Sequence, residues 1–167
     1  MRLNCLYMEY MNNAEYKIVK LQPGRNLPFD LLLLADETVE AIEKYIYTCD
    51  VYILKQTNGT DAIAAFALYK ISNAEVEIKN IAISESLQGR GIGSNVINEI
   101  KRIAIANQHK RIIVGTPENS SRLIHFYEKN GFIRYAVRKD FFIKNYPDPI
   151  IENGVTLRNM VMLKLDI

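Results

Sequence analysis

The chain has 167 residues, 49% of them hydrophobic and 24% charged, with a formal net charge of +2. This is ordinary globular composition at the size of one domain, which argues against disorder and for a single domain over 1–167. The near-neutral balance lacks the basic stripe of a nucleic-acid binder, and the longest apolar run, 29–35, is interrupted by Asp30 and too short to cross a bilayer.

From the start, Met1-Arg2-Leu3-Asn4 leads into Glu9, Asn12 and Asn13, without the apolar core or cleavage site of a signal peptide. Cys5 and Cys49 show no metal or redox spacing and read as reduced thiols, and His109 and His125 are the only histidines. No metal site is expected, and the cytoplasm is the expected location. Residues 14–21 predict a first strand through Tyr16, Ile18 and Val19. Residues 27–47 predict one or two helices, with Val39, Ile42 and Ile46 at helical spacing and Asp36 as N-cap. A strand over 51–56, a turn at Thr57-Asn58-Gly59-Thr60 and a return strand over 62–71 follow. In the strand 75–83, Val76 and Ile78 take even positions whereas Ile81 and Ile83 take odd ones, which predicts a β-bulge near Lys79-Asn80. Val96, Ile97, Ile100, Ile103 and Ala104 mark the buried face of a helix, with Asn95, Asn98, Glu99 and Arg102 mostly on the wet side. A strand over 111–116 and a helix from about Ser120, closed by Asn130-Gly131, come next. Two long strands, 132–143 and 155–165, finish the chain, joined by 144–154. The order βααβββαβαββ reads as an α/β sandwich with a mixed, mostly antiparallel central sheet flanked by helices.

The segment Ile81-Ala82-Ile83-Ser84-Glu85-Ser86-Leu87-Gln88-Gly89-Arg90-Gly91-Ile92-Gly93-Ser94 carries the most chemical information. It reads as a strand, a polar link, and glycines where a helix begins. A helix start presents unpartnered N–H groups and partial positive charge, and glycines let a ligand approach that backbone, so the segment suits a phosphate or pyrophosphate. A nucleoside-triphosphate loop fails for want of Gly-Lys-Ser/Thr. A dinucleotide fingerprint fits Gly89 and Gly91 but meets Ser94 at its third glycine, and 111–116 ends without an acid. A glycine-rich turn without a ligand also fits these positions taken alone.

Gln88-x-x-Gly91-x-Gly93 resembles the acetyl-CoA loop of the GNAT superfamily of N-acetyltransferases. The stretch Asn119 to Phe132, with Tyr127-Glu128-Lys129-Asn130-Gly131-Phe132, resembles the family's second landmark, and the two together cover roughly residues 75 to 135. The part from Asp140-Phe141-Phe142 through Asn153-Gly154 to the last strand is similar to small bacterial members whose acceptors are mostly unassigned. The resemblance implies a GNAT-type fold and acetyl-CoA as acyl donor, with no metal. Its pyrophosphate would rest on Gln88, Gly89, Arg90, Gly91, Ile92, Gly93 and Ser94, chiefly through backbone N–H groups, and its pantetheine arm on the backbone of Ile81 and Ile83. Asn119 or Ser120 would contact the pantetheine, or simply cap the helix.

The resemblance further implies that Tyr127 gives a proton to the departing thiolate; a core tyrosine would occupy the same helix face. Glu77 matches a strand position that bears a catalytic glutamate in some members and is a candidate general base. It fits equally a solvent-facing charge beside Glu75 and Lys79. The acceptor wall is expected from 27–47 and 144–154, where Asp140, Asp148 and Glu152 would favour a cationic amine. The function implied is acetyl transfer to a primary amine of a small molecule or protein by direct attack on the thioester. The alternative is an acyl-CoA-binding regulatory or interaction module that has lost chemistry. A homodimer through the final strands is expected by analogy. The identity of the amine, acyl chain length, general base and oligomeric state are not legible.

Overall fold

The computed structural model describes residues 10–13 and 15–167. The expectations on Cys5 and on the opening residues lie outside them. The described residues cluster into two compact units, one of those up to 68 together with 80–99, the other of 69–79 and 100–167.

The first unit contains β1 (Tyr10–Asn13), β2 (Tyr16–Lys20), α1 (Phe29–Leu32), α2 (Val39–Ile46), β3 (Asp50–Gln56) and most of β4 (Ala62–Lys70). It also takes the end of β5 (Glu75–Ile83) and the start of α3 (Ile92–Ala106). Strands β1 to β4 form successive antiparallel pairs, with Ile18 opposite Leu54 and Tyr52 opposite Phe66. The rings of Tyr52 and Phe66 stack at 4.9 Å between centroids. Val51 pairs with Ala67 and Ile53 with Ala65, so these side chains share one sheet face. Leu32, Ile42 and Ile46 of the two helices pack into the same cluster. The small Ala65 and Ala67 leave volume that the helices' branched side chains fill, as close-packed interiors require.

Helix α2 begins at Thr38, whose Oγ1 accepts a hydrogen bond from Ala41 N at 3.1 Å. Asp36, the expected cap, instead accepts from Glu37 N at 2.9 Å and from the Tyr45 hydroxyl at 3.2 Å. Two good capping residues stand within three positions, and the tertiary partner of Asp36 decides between them.

The second unit holds the start of β5 and the rest of α3, then β6 (Arg111–Pro117), α4 (Ser121–Lys129) and β7 (Ile133–Arg138). It ends with α5 (Phe141–Asn145), β8 (Ile151–Glu152), β9 (Val155–Thr156) and β10 (Met160–Asp166). Residues Glu75–Ile78 of β5 pair in parallel with Arg111–Val114 of β6. β10 then pairs antiparallel with β6 on one side and β7 on the other. The ladders are thus mostly antiparallel with one parallel pair, as the element order predicts. Val96, Ile97, Ile100, Ile103 and Ala104 are buried, as the helical spacing of α3 requires, but Glu99 is buried with them.

Two expectations are corrected. The strand expected over 132–143 stops at Arg138, because Asp140 turns into the left-handed region at φ 57° and Phe141–Asn145 is helical. Asp140 N donates to Asn159 Oδ1 at 2.9 Å, Arg158 Nε forms an ion pair with Asp140 Oδ1 at 2.6 Å, and Phe142 is buried, so long-range contacts override the β preference of Phe-Phe-Ile. The connection 144–154 contains the first strand of the short β8–β9 hairpin, with Asn153 at φ 50° and Gly154 at φ 79° in the turn that such a pair favours. Burial does not mark the bulge expected near Lys79-Asn80: Val76, Glu77, Ile78, Asn80 and Ala82 are all buried, with Ile81 and Ile83 half-buried. Both faces of that strand carry apolar residues, so sequence parity could not locate its buried side.

Candidate functional site

In the first unit, β5 runs out through Ile83 into a short 3-10 turn, Glu85–Leu87, and then into the glycines. Ser84 N donates to Ile63 O at 2.8 Å, anchoring the strand end. Gln88 Nε2 donates to Ile83 O at 3.0 Å, folding the loop's first residue back onto the strand. Gly89 and Gly91 adopt φ 76° and 81°, a region that costs an L-residue about 1–2 kcal/mol, and the space where their Cβ atoms would stand is open. The first α-helical bond of α3 closes from Asn95 N to Gly91 O at 3.2 Å. The N–H groups of Ile92, Gly93 and Ser94 precede it, with the positive end of a 15-residue helix behind them. Gln88 to Gly91 are solvent-exposed. An exposed glycine turn thus leads into a helix start with unpartnered donors and partial positive charge, an arrangement suited to a diphosphate.

Asn80, a polar residue on the buried face of β5, was not foreseen. Its Nδ2 donates to Leu32 O at 3.0 Å and to the Tyr45 hydroxyl at 3.1 Å. One side chain thereby ties both short helices to the strand that carries Ile81 and Ile83. Burial raises the Tyr45 pKa, with the bond from Asn80 opposing it, and the hydroxyl donates to Asp36. The sequence signal was present: an asparagine inside an otherwise apolar alternation.

In the second unit, Tyr127 lies on α4 with its ring edge-on to Phe126 at 5.1 Å and to Phe132 at 5.5 Å. Its backbone carbonyl accepts from Asn130 N and Phe132 N, at 3.0 and 3.1 Å, as Gly131 at φ 94° closes the helix. The side chain is 5% exposed, and its hydroxyl has no hydrogen-bond partner among the described residues. Burial raises the phenol's pKa well above its ordinary 10.0, so it stays protonated at neutral pH. Ser120 occupies the N-cap of α4 without a side-chain cap bond, and Asn119 is exposed.

Glu77 is buried, not solvent-facing. Its Oε1 lies 3.5 Å from Lys79 Nζ and 3.8 Å from Arg138 Nη1. Both contacts fall on one oxygen, and Oε2 makes no hydrogen bond among the described residues. Arg138 was not foreseen, and no local pattern could have announced it. Gly115 of β6 pairs with Met162, and a Cβ there would overlap the Met160 sulfur and stand 3.2 Å from that of Met162. The strand position next to Glu77's strand is thus filled by thioethers from β10. His125 is exposed on α4. Among the described residues no cluster of His, Cys, Asp or Glu could hold a metal, and no helix is long and apolar enough to span a membrane.

A glycine turn feeding a helix from a strand with a parallel partner, in a mixed and mostly antiparallel α/β fold, is the architecture of a class of acyl-transfer enzymes. The profile described as the Acetyltransferase (GNAT) family matches residues 26–132. An N-acetyltransferase of Bacillus subtilis (strain 168), YvbK, whose function is uncharacterized, is 34% identical over 157 residues, covering 94% of this chain and all of that protein. The crystal structure of a GNAT family acetyltransferase from Elizabethkingia anophelis with acetyl-CoA bound superposes with a TM-score of 0.86 at 34% identity, covering 93% of this chain and 100% of the other. A Bacillus subtilis acetyltransferase in complex with CoA gives a TM-score of 0.76 at 32% identity, over 90% and 97% of the two chains. The chain belongs to the GNAT family of acetyltransferases, and it is an enzyme of the N-acetyltransferase type.

Proposed function

We propose that this single-domain enzyme moves the acetyl group of acetyl-CoA to a primary amine by direct attack on the thioester. The observation that carries the reading is the glycine turn: two residues held at positive φ where α3 begins, ahead of N–H groups that precede its first helical bond. Gln88 to Ser94 would hold the pyrophosphate, with Arg90 adding charge, and the backbone of Ile81 and Ile83 would pair with the pantetheine amides. Gln88 supports this by fixing the Ile83 carbonyl from the loop side, and one carbonyl lone pair is left for a ligand. Asn119 and Ser120, whose side chains are not spent on capping α4, would contact the same arm.

The chemistry follows from cost. An amine with pKa about 10.4 pays roughly 4–5 kcal/mol to be neutral at pH 7. Glu77 would take the amine's proton at Oε2, either directly or through water, as nitrogen attacks the carbonyl carbon. The C–S bond then breaks, and Tyr127 would donate a hydrogen bond to the departing thiolate, which takes its proton as CoA leaves, with burial keeping the phenol in its donating form. The acetylated amine and free CoA leave, and no acyl-enzyme forms. The acceptor wall would come from α1–α2 and from 144–154. A homodimer is supported by β7, which pairs with β10 at the end of the strand order and exposes Ile133, Tyr135 and Val137. The cytoplasm is the proposed location, since Cys5 and Cys49 show no metal or redox spacing along the chain.

Calorimetry with CoA, followed by thiol release from acetyl-CoA across a panel of amines, tests the reading. Saturable CoA binding with amine-dependent thiol release is expected. A chain that does not bind CoA overturns it.

A further inference from the structure

Arg138 stands apart from the arginines around it. Arg111 donates to Asp166 at 2.6 Å and to Glu75 at 2.9 Å, Arg134 donates to Glu128 at 2.8 Å, and Arg158 forms a close ion pair with Asp140 at 2.6 Å. Arg138 makes no hydrogen bond among the described residues, and its ion pair with Glu77, at 3.8 Å, is too long for one. Its side chain is 44% exposed beside a carboxylate that is 9% exposed. A planar fork of donors is thus held next to a buried anion without being used up by it.

The strand registers explain how the two meet. Glu77 pairs with Ile113, Ile113 with Lys164, Gly115 with Met162 and Pro117 with Met160, which in turn pairs with Arg138. Directly paired residues share a sheet face, so Glu77, Gly115, Met160, Met162 and Arg138 lie on one side of four neighbouring strands. Gly115 carries no side chain to stand between them, and the thioethers give the face an apolar floor.

We propose that Arg138 binds a carboxylate carried beside the reacting amine, so that the acceptor is an α-amino acid. This rests on the role given to Glu77 above. The amine meets Glu77 Oε2 and the carboxylate meets the guanidinium fork, in the bidentate geometry that arginine offers to carboxylates. One carbon separates amine from carboxylate in such a ligand, a span on the scale of the 3.8 Å between the protein's own two charges. The ligand's zwitterion then completes an alternating set of four charges. A polyamine or aminoglycoside would bring a second cation against Arg138 and Lys79, a like-charge clash that selects against them.

The test compares matched acceptors with acetyl-CoA, reading released thiol: alanine against ethylamine and alanine methyl ester, and leucine against isoamylamine and leucine methyl ester. A free-acid preference in kcat/KM of about ten- to a hundredfold is expected, the size of a charge-assisted hydrogen-bond pair. In R138Q the ratio of acid to decarboxylated amine should fall toward one. R138K, which keeps charge but loses the fork, should retain part of it. Equal or better use of the decarboxylated amines by the wild-type enzyme overturns the proposal, as does an R138Q ratio that does not move. Transfer to amines with no acid preference sinks only Arg138's role, whereas no thiol release from any acceptor sinks the acyl-transfer reading with it.

Discussion

Replacing Tyr127 by phenylalanine removes one oxygen from a ring whose packing is set by Phe126 at 5.1 Å and Phe132 at 5.5 Å. Because the hydroxyl has no hydrogen-bond partner among the described residues, its loss orphans none of their buried groups, and stability should change by less than about 1 kcal/mol. The catalytic cost is different. A thiol near 8.5 is a stronger acid than a phenol pushed above 10.0, so full proton transfer to the thiolate is uphill by at least about 2 kcal/mol. In the proposed reaction the phenol would therefore act mainly as a hydrogen-bond donor to charge developing on sulfur, which is worth about 1.5–3 kcal/mol. At about 1.4 kcal/mol per decade, kcat should fall roughly 10- to 150-fold. The sign of the pKa shift adds a second expectation. A raised pKa keeps the donor protonated at every pH below it, so Tyr127 should contribute no alkaline fall in kcat up to about pH 10. Steady-state thiol release, with CoA affinity from calorimetry and a thermal melt of Y127F, measures all three quantities. A kcat within twofold of wild type, or a loss carried by CoA affinity instead, would refute the assignment.

G91A places an alanine at φ 81° with open space around its Cβ, so the cost is backbone strain of about 1–2 kcal/mol, read as a lower thermal midpoint. Relief of that strain would turn the loop's N–H groups, and calorimetric CoA affinity should drop with it. T38A deletes the hydroxyl that caps α2 and should cost about 1 kcal/mol in denaturant unfolding, with D36A costing less cap energy but loosening Tyr45. G115A drives a methyl into the Met160 thioether and should destabilise by about 1–3 kcal/mol; a second substitution, M160A, should recover part of the loss in a thermal melt.

The strands over 50–56, 62–70 and 75–83, the helix α3 and the glycine turn could be read directly from the chain. Their signals are local: alternation, helical spacing, and glycines where the backbone must enter the left-handed region. The Asn-Gly turn at 153–154 was equally local and was missed because its flanking strands are two residues each, too short to show a period. The end of β7 was not legible, since Phe141-Phe142-Ile143 has strand composition and becomes helical only through the bonds of Asp140 to Asn159 and Arg158.

Sequence alone pointed to the segment suited to a diphosphate, because that suitability resides in a helix start and the few residues before it. It also singled out Glu77 and Tyr127, but left open whether each was working chemistry or ordinary surface and core. Tertiary structure decided what surrounds them: Glu77 is buried between Lys79 and Arg138, and Tyr127 is enclosed by two phenylalanines with its hydroxyl unspent. Strand order and register bring together residues far apart along the chain, and a charge's neighbours, not its own identity, determine what it can bind.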